Sequence, residues 1–276
     1  MSAQVCRHAR WGWVVRLANN EVEAVIAPER GGRLMHYSRL GEPNLLWTAR
    51  NIKKGLGNIW GWKNWGGEKN WLWPQDNWPG GDWPPPPDME QAPWRVTGIG
   101  ETLRDEIPVV EVLLTAETTA GKMERRFHMP AAGTRLDVSA SLEGRDIAFG
   151  VWSVIQIPVP ETVGVERVEP RRLLLQMPGA DSALVMRGED TLDLAATPSS
   201  VKGKLDADAF RVPTAQGVFV VRQHLDGAAE YEGIYRAHVQ KSHTLGGDAF
   251  LELEFAAPIP GGGEQKSRQS VSFSME

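Results

Sequence analysis

The sequence predicts an all-β protein of many short antiparallel strands, with one long loop rich in tryptophan, proline and glycine. Three observations predict it. Short runs of alternating or continuous apolar residues recur along most of the 276 residues. Glycine- and proline-bearing turn signals separate them at intervals typical of sandwiches. No segment with a helical period is longer than about two turns.

The elements follow in order. Residues 21–26 (EVEAVI) alternate and then run apolar, and 33–37 (RLMHY) follow a Gly31-Gly32 turn. Residues 109–117 (VVEVLLTAE) form a strand interrupted by Glu111, and 123–129 (MERRFHM) the next. In 134–142 (TRLDVSASL), Leu136, Val138, Ala140 and Leu142 share one face. Residues 147–157, 218–224, 250–255 and 270–275 complete the set. Turn signals between them include Gly41-Glu42-Pro43, Ala132-Gly133, Pro178-Gly179 and Gly246-Gly247.

Residues 51–94 read as the loop. Eight of the twelve tryptophans fall between Trp60 and Trp94, among Gly66-Gly67, Gly80-Gly81 and the proline run 84–87. Long loops without their own structure are usually functional or disordered, and indoles favour order. An indole offers a flat apolar face and one N–H donor, which suits the C–H-rich faces of sugars. Asn64, Lys69, Gln75 and Asp76 add hydrogen-bonding groups. Two readings stay open: a carbohydrate-facing loop, or an aromatic plug closing one end of a β-fold. Trp73, just before Pro74-Gln75, is the better pocket candidate, whereas Trp65, Trp71 and Trp78 fit core and site equally. Lys69 among these rings points to a cation–π or a ligand contact.

No linker divides the chain, so residues 1–276 are expected to form one domain. A net charge of −5 and only isolated arginine pairs argue against nucleic acid. The single cysteine, Cys6, allows no internal disulfide and no cysteine-based zinc site. No leader segment and no membrane span are visible, so a cytoplasmic location is expected, with export left open.

Catalytic signatures are sparse. The six histidines show no metal-ligand spacing, and no metal or cofactor is expected. There is no nucleophile elbow, P-loop or dinucleotide fingerprint. Carboxylates are more informative. Glu252 and Glu254 lie two apart in FLELEF, on one strand face with Phe250, while Leu251, Leu253 and Phe255 point the other way. On an exposed sheet they would be solvated; in a pocket a desolvated glutamate could act as a general base. Gln156, in an otherwise apolar strand, suits an inward polar role.

Three segments carry a resemblance. Residues 28–34 (PERGGRL) with 41–47 (GEPNLLW), 123–127 (MERRF) with 134–138 (TRLDV), and 250–255 (FLELEF) with Pro258 and Gly262-Gly263-Glu264 resemble, in order and spacing, galactose-mutarotase-like proteins. The resemblance implies a β-supersandwich whose concave face binds a mono- or oligosaccharide. It also implies an aldose 1-epimerase-like isomerase, in which a glutamate takes the proton from the anomeric hydroxyl and a histidine donates to the ring oxygen. The glutamate matches Glu252. The strand that should hold the acid, residues 149–156 (FGVWSVIQ), has Trp152 and Gln156 but no histidine. His128 and His243 are held in reserve. The expected substrate-binding set is Lys69, Trp73, Gln75, Trp83, Trp152, Gln156 and His243. A non-catalytic carbohydrate-binding protein is the alternative, and tryptophans that only pack the fold are a third reading.

Overall fold

The computed structural model describes residues 1–50, 63–78, 84–144, 149–169, 171–224, 235–243, 248–258 and 266–276. In chain order the strands are β1 (Ser2–His8), β2 (Gly12–Ala18), β3 (Val22–Ala27), β4 (Arg33–Arg39), β5 (Glu68–Trp73), β6 (Arg95–Arg104) and β7 (Ile107–Thr118). They continue with β8 (Gly121–Pro130), β9 (Leu136–Glu143), β10 (Gly150–Ile157), β11 (Thr162–Arg167), β12 (Leu173–Leu174) and β13 (Thr191–Asp193). The last are β14 (Val201–Leu205), β15 (Ala207–Thr214), β16 (Gly217–His224), β17 (Ala237–His243), β18 (Ala249–Ala256) and β19 (Lys266–Met275). One short helix, α1 (Pro87–Glu90), precedes β6.

The strands form two antiparallel sheets. The ten-stranded sheet runs β1-β2-β3-β4-β5-β10-β18-β17-β14-β12, and the nine-stranded sheet runs β13-β11-β15-β16-β19-β9-β8-β7-β6. Alternation explains how they stack. On β18, Leu251, Leu253 and Phe255 join Val151 and Ile155 of β10 in one core with Val138 of β9 and Val271 and Phe273 of β19. The intervening residues of β10 and β18 therefore lie on the outer face of the ten-stranded sheet. The all-β expectation holds, and the long runs at 109–117, 123–129, 218–224 and 250–255 all fall within strands.

The expected loop needs a correction. Within 51–94, Glu68–Trp73 is a strand at the centre of the ten-stranded sheet, paired with β10 over its whole length. Its polar residues hid it, and each has a partner distant in sequence. Glu68 forms an ion pair across the core with Arg125 of β8, and both side chains are fully buried. Asn70 Nδ2 donates to Ser153 Oγ of β10 at 3.0 Å. Gly66 and Gly67 bring the chain into this strand with φ of 85° and 75°. A Cβ on them would lie 2.3 Å from the carbonyl oxygens of Trp47 and Leu34 respectively, so only glycine fits the approach.

A buried polar face and a candidate sugar site

The outer face at the centre of the ten-stranded sheet is polar and yet buried. The pairing registers set its side chains in rows across the strands. One row reads Lys204, His238, Glu254, Val154, Lys69 across β14, β17, β18, β10 and β5. The next reads Lys202, Gln240, Glu252, Gln156. A third brings Trp152 opposite Trp71. Glu252, Glu254, His238, Gln156, Lys69 and Trp152 are all at most 7% exposed. A polar cluster with this little water contact must be satisfied internally or by a ligand.

The two glutamates have opposite environments. Glu252 Oε1 accepts from Gln156 Nε2 at 2.6 Å. Burial pushes its carboxyl above the ordinary range, against the pull of Lys69 and with a further push from Glu254. Glu254 is equally buried, but Lys202 Nζ lies 3.0 Å away and His238 Nδ1 3.3 Å away. Burial raises its pKa, and those two neighbours more than reverse it, so Glu254 stays ionised well below its usual range. Environments that drive two neighbouring carboxyls apart separate a proton acceptor from a fixed anion.

The imidazole of His238 is held neutral chiefly by burial, with Glu254 pulling the other way. Its Nε2 has no hydrogen-bond partner among the described residues, nor do Trp152 Nε1 and Gln156 Oε1. These three orphaned polar atoms occupy the face that holds Glu252. The aromatic wall is built by edge contacts: Trp152 meets Trp71 at 5.5 Å, Trp73 at 5.4 Å and His238 at 5.9 Å between ring centroids. Lys202 Nζ sits 5.0 Å above the Trp152 ring.

The rear of the site is braced by Glu90 of α1. It forms a fully buried ion pair with Arg33, accepts from Trp71 Nε1 at 2.5 Å, and lies 3.7 Å from Lys69 Nζ. Lys69 also lies 4.3 Å over the Trp71 ring. Burial lowers the Lys69 pKa and Glu90 partly restores it. Arg33 is fully buried and holds Glu90 in place behind this face.

The expected site residues divide. The sheet brings Glu252, Lys69, Trp152, Gln156 and Trp73 together. Gln75 lies past the end of β5 in a 3-10 turn, Gln75–Asn77, half-buried and without a side-chain hydrogen bond to the face among the described residues. His243 is exposed at the end of β17, 3.3 Å from Ser200 Oγ. It is one residue out of phase with His238 and Gln240, so the alternation turns it away. His128 lies on the other sheet, 2.6 Å from Glu111, in a polar cavity of about 310 Å³ shared with Arg104, Arg126, His224 and Arg268. Trp83 lies outside the described residues. Sequence reasoning missed His238, Lys202 and Lys204. The signal was present in AHVQKSH and VKGKL, where polar and apolar residues alternate.

No family model matches the chain, and no curated protein matches it by sequence. Solved structures do match in shape. A galactose mutarotase-like protein from Clostridium acetobutylicum superposes with a TM-score of 0.59 at 11% identity, covering 99% of this chain and 98% of that one. A candidate aldose 1-epimerase from Escherichia coli K12 gives 0.55 at 13% identity, covering 100% and 99%. A galactose mutarotase-like protein from Lactobacillus casei gives 0.56 at 10% identity, covering 95% and 100%. Along its whole length, the chain has the fold of galactose mutarotase-like proteins.

Proposed function

We propose that this protein binds a sugar on the outer face of the ten-stranded sheet and interconverts its anomers, with Glu252 as general base. The observation that carries this reading is the buried Glu252 carboxyl, raised in pKa, on the same sheet face as the unpartnered polar atoms of Trp152, Gln156 and His238. A base is effective when its pKa lies near the working pH, and desolvation moves a carboxyl in that direction. Gln156 fixes one carboxylate oxygen and leaves the other to take the proton of an anomeric hydroxyl. Glu254 positions His238 through Nδ1, so that Nε2 is presented for a hydrogen bond to a ring oxygen. With Nδ1–H held by the Glu254 carboxylate, Nε2 carries a proton only in the imidazolium form; that form gives its Nε2 proton to the ring oxygen and returns to the neutral imidazole that burial favours. The indole walls supply the apolar surface for the sugar's C–H faces. The candidate aldose 1-epimerase among the structural neighbours makes the same chemistry a natural use of this fold, by analogy of fold.

Exchange NMR of sugar anomers tests the reading. The panel contains neutral hexoses, their 6-phosphates and uronates, with wild-type protein and Glu252→Gln. The reading expects one sugar class whose α and β forms exchange faster with wild type and at the uncatalysed rate with the variant. One observation favours a non-catalytic binder: burial holds His238 away from the imidazolium form that would donate a proton. Saturable binding without faster exchange would select that reading.

A further inference from the structure

Among the described residues, no carboxylate lies within ion-pair distance of Lys204 at this site. This lysine follows Lys202 by two residues on β14, so both ammonium groups point to the same face. Lys202 is paired with Glu254, and Lys69 and Arg33 are paired with Glu90. Lys204 has no ion pair or hydrogen bond among the described residues. Its Nζ sits 5.6 Å over the Trp73 ring, beside the row that holds His238 and Glu254. Burial and then the neighbouring Lys202 lower its pKa, and Glu254 and the exposed Asp76 only partly compensate from beyond ion-pair distance. Among the described residues around the face, the four cations Arg33, Lys69, Lys202 and Lys204 meet the carboxylates Glu90, Glu252 and Glu254, with Asp76 acting on Lys204 from farther off. Cations are in excess whenever Glu252 holds a proton. A half-buried ammonium repelled by a second one is costly unless an anion joins it.

Resting on the sugar-site reading above, we propose that the sugar bound here carries an anionic group, a carboxylate or a phosphate, gripped by Lys204 with Lys202 beside it. Geometry fits one monosaccharide. Lys204 and Glu252 are two strands and two residues apart, about 12 Å between Cα atoms at ordinary sheet spacings, on the same face of the sheet. The anomeric end of a sugar would then lie at Glu252 while its charged end reaches the lysines. Trp73 beneath Lys204 and Trp152 beneath Lys202 give the charged end an aromatic floor.

Intrinsic tryptophan fluorescence, read while titrating D-glucose, D-glucuronate and D-glucose 6-phosphate, tests the proposal. The expected result is tighter binding of one or both anionic sugars than of D-glucose, weakening as salt is raised. Which of the two binds more tightly identifies carboxylate or phosphate. Lys204→Met should cut the affinity for the anionic sugar by about 10- to 100-fold, the worth of one hydrogen bond to a charged group. Lys204→Arg, which keeps the charge, should retain most of it. Equal affinity for all three sugars, or an unchanged preference in Lys204→Met, overturns the proposal and leaves the sugar-site reading standing. No binding of any of the three to the folded protein overturns both.

Discussion

Glu90→Ala gives the sharpest test of how the site is braced. The glutamate answers two buried cations at once, Arg33 at 0% and Lys69 at 1% exposure, and accepts the Trp71 indole N–H. Its loss leaves Arg33 with backbone acceptors, among them the Gly66 carbonyl at 2.9 Å. A guanidinium cannot escape by losing its proton, whereas Lys69 can. Removing one partner of a buried ion pair costs about 3–5 kcal/mol. For 276 residues the unfolding entropy at the midpoint is about 0.6 kcal/mol per kelvin, so Tm should fall by about 5–9 °C. A thermal melt followed by circular dichroism, with a urea midpoint as a second reading, measures this. The variant should also gain stability from neutral toward alkaline pH relative to wild type. Burial already sets the folded pKa of Lys69 below its ordinary 10.5, and losing Glu90 lowers it further. The unfolded chain then binds more protons between that folded value and 10.5, and stability rises with pH wherever that is so. A Tm change under about 2 °C, with no such alkaline gain, would refute the reasoning.

Three other outcomes follow from the same geometry. Glu252→Gln should raise the urea midpoint at pH 8: the folded pKa lies above 4.5, so wild type loses stability as pH rises from 4.5 through the folded value, and the advantage should vanish below pH 4.5. Lys202→Met should weaken acid resistance, because Glu254, held at about 2, contributes stability above pH 4.5 that is lost as pH falls toward 2, and Lys202 is the largest contributor to that lowering; acid titrations of the two proteins by circular dichroism compare them directly. Arg125→Met should cost about 3–5 kcal/mol in urea unfolding by stranding the buried Glu68, and the Arg125→Met/Glu68→Leu double variant should recover most of it.

Strands that bury one apolar face announce themselves by alternation. Leu136, Val138, Ala140 and Leu142 on β9, and the FLELEF pattern of β18, were readable for that reason. The same pattern placed Glu252 and Glu254 together on one face, where the structure has them. The strand β5 was not readable. Its Glu68, Lys69 and Asn70 have the look of a loop until their partners are known, and Arg125, Glu90 and Ser153 lie far away in sequence. Choosing among the histidines was a matter of phase. His238 and His243 sit at opposite parities of one strand, and only the pairing of His238 with Glu254 tells which of them meets the glutamates. Trp71 illustrates why the core and site readings of the indoles stayed level. It packs against Trp78 and Trp152 while donating its N–H to Glu90, which in turn holds Lys69.

A crystal structure of Glu252→Gln soaked with the sugar that gives the strongest fluorescence response measures the central claim most directly. The account predicts a single sugar on the outer face of the ten-stranded sheet, its anomeric hydroxyl within hydrogen-bonding distance of residue 252. The Trp152 indole N–H should donate to one of its oxygens, and His238 Nε2 should lie within hydrogen-bonding distance of another. A sugar bound only in the polar cavity of the other sheet, between Arg104, His128 and His224, would contradict it.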